Sequence, residues 1–135
     1  MRDWLALRAH ATPEAEALSR TDPSAEPLTY AELDDRVETV AGRLAGAGVG
    51  VDDPLAICAG TGTEFVVAAH AAQRLGAVLV PISARLTGSE IETRLDRVDP
   101  AAVVCERDTE KSVCAAIDGT PLTLDEPLAG AIALS

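Results

Sequence analysis

The sequence predicts an α/β fold in which alternating strands and helices form part of a mainly parallel sheet. Three observations carry that expectation. Short, almost purely apolar runs recur at residues 55–59, 77–82 and 101–105, as strands do when both sheet faces are covered. The stretches between the runs are about a dozen residues long and carry apolar residues at helical spacing. Strands and helices of those lengths in alternation call for crossover connections and parallel pairing.

Taken in order, residues 21–27 hold two prolines among capping-type polar residues and read as a turn-rich loop. Thr29-Tyr30-Ala31-Glu32 fits a capping box. Leu33, Val37, Val40 and Leu44 follow at spacings of four, three and four, one face of a helix. Glycines at 46, 48 and 50 end it, since glycine takes the left-handed cap conformation without strain. Residues 55–59, between Pro54 and Gly60, predict a buried strand. Residues 64–75 predict a helix apolar over much of its circumference, closed by Gly76. Residues 77–82 predict a second buried strand. Thr87 and Glu90 frame another capping box ahead of Ile91, Leu95 and Val98, and after Pro100 residues 101–105 predict a third strand. Weaker patterns suggest a short helix at 108–117 and a short strand at 122–124. Residues 129–135 stay apolar to the last position but one, the pattern expected of a chain stopped within its fold.

Composition narrows the function classes. Among 135 residues, 11 Lys and Arg face 22 Asp and Glu, a formal net charge of −11. Nucleic-acid binding needs clustered cations to displace counterions from phosphates, and this chain lacks them. A basic helix lying on a membrane surface is excluded on the same ground. With 47% hydrophobic residues the chain has ample material for a packed core. Trp4, Tyr30 and Phe65 are all its aromatics, so that core is built of Ala, Val, Leu and Ile. Twenty-five alanines and a single lysine, Lys111, against ten arginines complete the picture. An acidic, Lys-poor surface suits a salt-rich cytoplasm, where screening tolerates repulsion among acids. No apolar window nears the ~18 residues of a membrane span, and the opening Met1-Arg2-Asp3-Trp4 does not lead into a signal-like apolar run. Cys58, Cys105 and Cys114 form no Cys-x-x-Cys pair and read as structural thiols of a reduced, cytoplasmic protein.

Candidate chemistry is sparse. Gly60-Thr61-Gly62-Thr63 is a glycine-rich turn between a strand and a helix, a place where free amides hold anions. Phe65 stands where the dinucleotide fingerprint needs its third glycine, and no lysine follows as in a phosphate-binding loop. Glu64 would repel a phosphate there, so the turn is expected to be a connection. A small nucleotide-binding α/β protein using residues 60–63 is the rival reading. His10 and His70 have no nucleophile or metal-spaced partner and read as ordinary histidines. The acid pairs Asp34-Asp35 and Asp52-Asp53 read as solvated carboxylates, and Arg94, Arg97, Glu90 and Asp96 as a charged helix face. No catalytic residue and no metal ligand is expected within this stretch.

The order of the pieces resembles a known family. Leu28-Thr29-Tyr30-Ala31-Glu32-Leu33 is similar to a Leu-Thr-Tyr-x-Glu-Leu motif of the AMP-forming adenylating enzymes, which include acyl-CoA synthetases and peptide-synthetase adenylation domains. The glycines at 46–50 with Asp53-Pro54-Leu55-Ala56-Ile57 resemble its Gly-Val-x-x-Gly-Asp-x-Val-Ala stretch. Glu64-Phe65 resembles the opening of its next helix, and Gly76-Ala77-Val78-Leu79-Val80-Pro81-Ile82 its Gly-Ala-x-x-x-Pro-Leu motif. Arg85-Leu86-Thr87, Glu90-Ile91 and Val103-Val104 continue the pattern.

The resemblance implies that residues 1–135 are the N-terminal part of the large domain of such an enzyme, without its small C-terminal domain. The whole enzyme would use ATP and Mg²⁺ to activate a small-molecule carboxylate and CoA to receive the acyl group. The Ser/Thr/Gly-rich phosphate loop, the ribose-binding Asp motif and the catalytic Lys do not occur in these residues, so the segment alone is expected to be inactive. Arg94 is the candidate CoA contact, by resemblance to an Arg on the corresponding helix of some acyl-CoA synthetases. The opening Met1-Arg2-Asp3-Trp4-Leu5 with the acidic composition resembles the 2-succinylbenzoate–CoA ligases of halophiles, which act in menaquinone synthesis. A truncated, non-catalytic module that binds a partner subunit is the alternative.

Overall fold

A computed structural model of the chain describes residues 3–19, 27–60, 62–117, 119, 121–123 and 132–133. The elements run α1 (Trp4–Ala11), β1 (Glu16–Leu18), β2 (Leu28–Thr29), α2 (Tyr30–Gly46), β3 (Pro54–Cys58), α3 (Thr63–Arg74), β4 (Val78–Ile82), α4 (Gly88–Val98), β5 (Ala102–Cys105), α5 (Glu110–Ala116), β6 (Leu122–Thr123) and β7 (Ile132–Ala133). Strands β3 to β7 form one sheet in the order β4-β3-β5-β6-β7, every pair parallel. The predicted α/β class is the observed one. Strands β1 and β2 form a separate antiparallel pair.

The sheet sorts its side chains onto two faces by strand alternation. Leu55, Ile57, Val104 and Leu122 join Leu5, Leu33, Val37, Leu44, Val67 and Ala71 in one core, under α1, α2 and α3. Ala56, Cys58, Val103 and Cys105 join Ile91, Leu95 and Val113 in the other, under α4 and α5. Burial from both sides is why the central strands lack polar alternation.

Helix ends follow the local chemistry. In both predicted capping boxes the threonine hydroxyl accepts the N3 amide and the glutamate accepts the cap amide: Thr29 with Glu32, and Thr87 with Glu90. Helix α2 closes by a Schellman arrangement. The Val49 N–H donates to the Leu44 carbonyl and the Gly48 N–H to that of Ala45, with Gly48 at φ 96°. Helix α3 repeats it, with Ala77 donating to Ala72, Gly76 donating to Gln73, and Gly76 at φ 73°.

Two expectations need correction, and one element was not foreseen. The strand at 77–82 was expected to be buried, yet β4 is an edge strand with Val78 half exposed and Pro81 exposed. Within this sheet β4 pairs only with β3, and its apolar run belongs to a sheet margin. The acid pairs are not merely solvated: Asp34 is partnered as described below, and the half-buried Asp53 carboxylate accepts the Gly50 N–H at 2.9 Å. Helix α1 has no counterpart in the sequence reading; the Asp3 carboxylate caps it by accepting the Ala6 N–H at 3.0 Å. Residues 21–26, Thr61, Leu124 and most of 129–135, on which a loop, a turn, a strand end and an apolar tail were expected, lie outside the described residues. Among the described residues no helix is long and apolar enough to cross a membrane.

Candidate functional site

The chain leaves β3 for β4 on one side, then crosses back past β3 to place β5 on the other. The carboxyl ends of β3 and β5 therefore flank the point where the winding direction reverses, the place where open parallel sheets bind ligands. The glycine turn at 60–63 lies there. So do Glu106 and Thr109, which sequence reasoning had not singled out.

These residues lock the two strand ends together. The Gly60 N–H donates to Glu106 Oε1 at 3.0 Å, across 46 residues of chain. The buried Thr109 hydroxyl donates to the Cys58 carbonyl at 2.6 Å and accepts the Glu106 N–H at 3.1 Å. The Glu106 carbonyl in turn accepts the Thr109 and Glu110 N–H groups. A carboxylate thus already holds the amide that an anion would use. Glu64 stands in the first turn of α3 beside Gly62, whose added Cβ would lie 3.7 Å from a Glu64 oxygen. A phosphate entering this crevice would have to displace one carboxylate and face a second. The geometry favours a connection over a phosphate cradle, and Thr61 itself is outside the described residues.

The other sequence candidates lie apart from the crevice. Arg94 is exposed on α4, one turn beyond Glu90. The Glu90 carboxyl is held below its ordinary range by the Thr87 N–H it accepts, with a smaller contribution from the Arg94 charge. Arg97 and Asp96 are also exposed, as a charged helix face requires. His10 is exposed and His70 half buried on α3, where its charge contributes to lowering the pKa of Asp3. Among the described residues no group of three or more His, Cys, Asp or Glu could hold a metal ion.

An ion cluster lies on the opposite side of the sheet from α4. Arg74, at the end of α3, meets Asp3 at 2.6 Å, Asp34 at 2.8 Å and Glu38 at 3.0 Å. One guanidinium so ties α3 to the cap of α1 and to α2, using the several donors of its planar fork. The Arg74 hydrogen bond holds the Asp3 carboxyl below its ordinary range, against the opposing effect of burial. The sequence signal available for this cluster was Asp3 itself, a capping residue directly before Trp4-Leu5.

Comparison with known proteins places the chain. Residues 5–131 match the family model described as AMP-binding enzyme. The chain belongs to that family. Among members of this AMP-binding family, the 2-succinylbenzoate–CoA ligase of Bacillus cereus strain Q1 is 30% identical over 110 residues, covering 82% of this chain and 22% of that protein. The o-succinylbenzoate CoA synthetase of Bacillus subtilis, solved in complex with the acyl-adenylate intermediate, superposes with a TM-score of 0.77 at 30% identity, over 93% of this chain and 31% of that one. The luciferase-like enzyme of the mealworm Zophobas morio shares the fold, with a TM-score of 0.83 at 19% identity over 98% of this chain and 32% of that one. The chain spans about a fifth of the length of the curated relatives it matches.

Proposed function

We propose that this chain is the N-terminal scaffold segment of the large domain of an AMP-forming acid–CoA ligase, with 2-succinylbenzoate as the carboxylate. The observation that carries this reading is the 30% identity to 2-succinylbenzoate–CoA ligase across 82% of the chain. The likeness to the Bacillus subtilis synthetase supports it. In such a ligase a carboxylate, itself a poor electrophile, is joined to ATP with release of pyrophosphate, and the mixed anhydride then passes its acyl group to CoA. Metal and cations would offset the charge developing on the phosphates. The setting would be cytoplasmic menaquinone synthesis.

The contribution of these residues is positional. They build the five-stranded sheet, cover both its faces and fix the strand ends through Glu106 and Thr109. Arg94, exposed on α4, is the residue proposed to meet CoA. The charge of −11 supports a salt-adapted surface.

The test is pyrophosphate release from ATP. The 135-residue chain should release none with any carboxylate, whereas a ligase containing it should respond to 2-succinylbenzoate far better than to benzoate or a fatty acid. Pyrophosphate release by the isolated, folded chain would overturn the scaffold reading. Indifference of the ligase to 2-succinylbenzoate would overturn the substrate.

A further inference from the structure

Helix α1 is fastened differently from the helices that follow it. Backbone pairing holds the chain just beyond the helix, where the Ala31 N–H donates to the Pro13 carbonyl at 3.0 Å and the Tyr30 N–H to the Ala15 carbonyl at 2.9 Å. Among the described residues no backbone–backbone hydrogen bond joins α1 itself to another element. Side chains alone dock it. Of its eight residues only Leu5 is buried, in the core that holds Leu33, Val37 and Leu44. Asp3, the N-cap, pairs with Arg74 at 2.6 Å. The Trp4 and Tyr30 rings meet edge to face with centroids 6.2 Å apart, and the Arg8 guanidinium lies 5.5 Å from the Tyr30 centroid. Trp4 and Leu7 remain more than half exposed. Alanines at 6, 9 and 31 leave an open groove along the seam with α2.

A helix this short does not hold together in water by itself, because nucleation is costly and few bonds follow it. Helix α1 is therefore helical only while docked. Its ion pair can part without stranding a charge. Three carboxylates share the Arg74 guanidinium, and without Asp3 it still has Asp34 at 2.8 Å and Glu38 at 3.0 Å. Removing the sole partner of a buried cation is strongly unfavourable, whereas this cation keeps two.

We propose that α1 is a strap that undocks and unfolds as a unit while α2, α3 and the sheet stay folded, with the Asp3–Arg74 pair as its latch. Residues 12–15, pinned to the start of α2, form the hinge. Each opening bares the seat of Leu5 in the core beneath α2 and α3.

The experiment is native-state amide hydrogen exchange on the 135-residue chain at neutral pH, in a series of low urea concentrations. The amides of residues 8–11 should share one protection factor, at least ~10-fold below that of the β3 amides, with a weaker dependence on urea because the opening exposes less surface. Two variants separate strap from latch. Asp3→Asn removes the charge but keeps the cap, since asparagine caps as well as aspartate, and should speed exchange in α1 roughly 5-fold, the effect of losing one partly desolvated ion pair. Thr109→Val loosens the sheet, so it should speed exchange in β3 and leave α1 unchanged. The parent chain needs no variant to fold: protection in α1 equal to that in β3, or graded along the helix as in fraying, would overturn the strap. Equal acceleration of α1 and β3 by Thr109→Val would do the same. Exchange in α1 indifferent to Asp3→Asn would overturn the latch.

Discussion

Replacing Arg74 with methionine keeps a long unbranched stem over the core but removes the guanidinium that joins α1, α2 and α3. Its size can be worked from the three contacts. The Arg74 side chain is 17% exposed, and those of Asp3 and Asp34 are 33% and 31% exposed, so both pairs are partly desolvated. A charge-assisted hydrogen bond contributes about 1.5–3 kcal/mol when well buried. Solvent screening at this exposure brings each pair to about 1 kcal/mol. Glu38 is 76% exposed and its pair contributes roughly nothing. The expected cost of Arg74→Met is thus about 2 kcal/mol at neutral pH, read from urea unfolding. The pH dependence has a definite sign. The folded pKa of Asp3 lies below its ordinary value of 3.8, so its stabilisation is present above that value and lost as pH falls through the folded pKa. The gap between the parent and Arg74→Met should therefore be flat near neutrality and shrink under acid. A gap below ~0.5 kcal/mol at neutral pH, or one unchanged at low pH, would refute this account of the cluster.

Thr109→Val removes a buried hydroxyl while keeping its shape, leaving the Cys58 carbonyl and the Glu106 amide without that partner. It should cost about 1–3 kcal/mol in chemical unfolding, while Thr109→Ser should cost less because the hydroxyl is retained. Gly76→Ala should destabilise by roughly 1–2 kcal/mol, because φ is positive there and a Cβ crowds the following carbonyl in the left-handed conformation. Gly48→Ala, also at positive φ, should cost a similar amount; a variant as stable as the parent at either position would refute the left-handed cap. If the net charge of −11 reflects salt adaptation, the melting temperature should climb as KCl is raised from ~0.1 M to ~1 M. A melting temperature indifferent to salt would remove that argument.

Local signals settled more of this fold than its length suggests. The spacing of Leu33, Val37, Val40 and Leu44 named the buried face of α2, and all four are buried. Thr29 and Thr87 named two helix starts, and Gly48 and Gly76 two helix ends, because caps and left-handed turns are decided within five or six residues. The apolar runs gave β3 and β5 to within a residue. What the sequence left open was everything that depends on who pairs with whom. A run such as Val78 to Ile82 has the same composition at a sheet margin as in its centre, so only strand order could assign β4 to an edge. The bond from Gly60 to Glu106 spans 46 residues, and Arg74 reaches back 71 residues to Asp3. No periodicity encodes such separations, since they arise where crossovers set strand ends and helix ends side by side. Cys58 and Cys105 became neighbours in the same way, through register between two strands that the chain visits with α3, β4 and α4 between them. Short-range chemistry is written along the chain, whereas the crevice, the ion cluster and the thiol pair exist because the parallel sheet winds in both directions from β3.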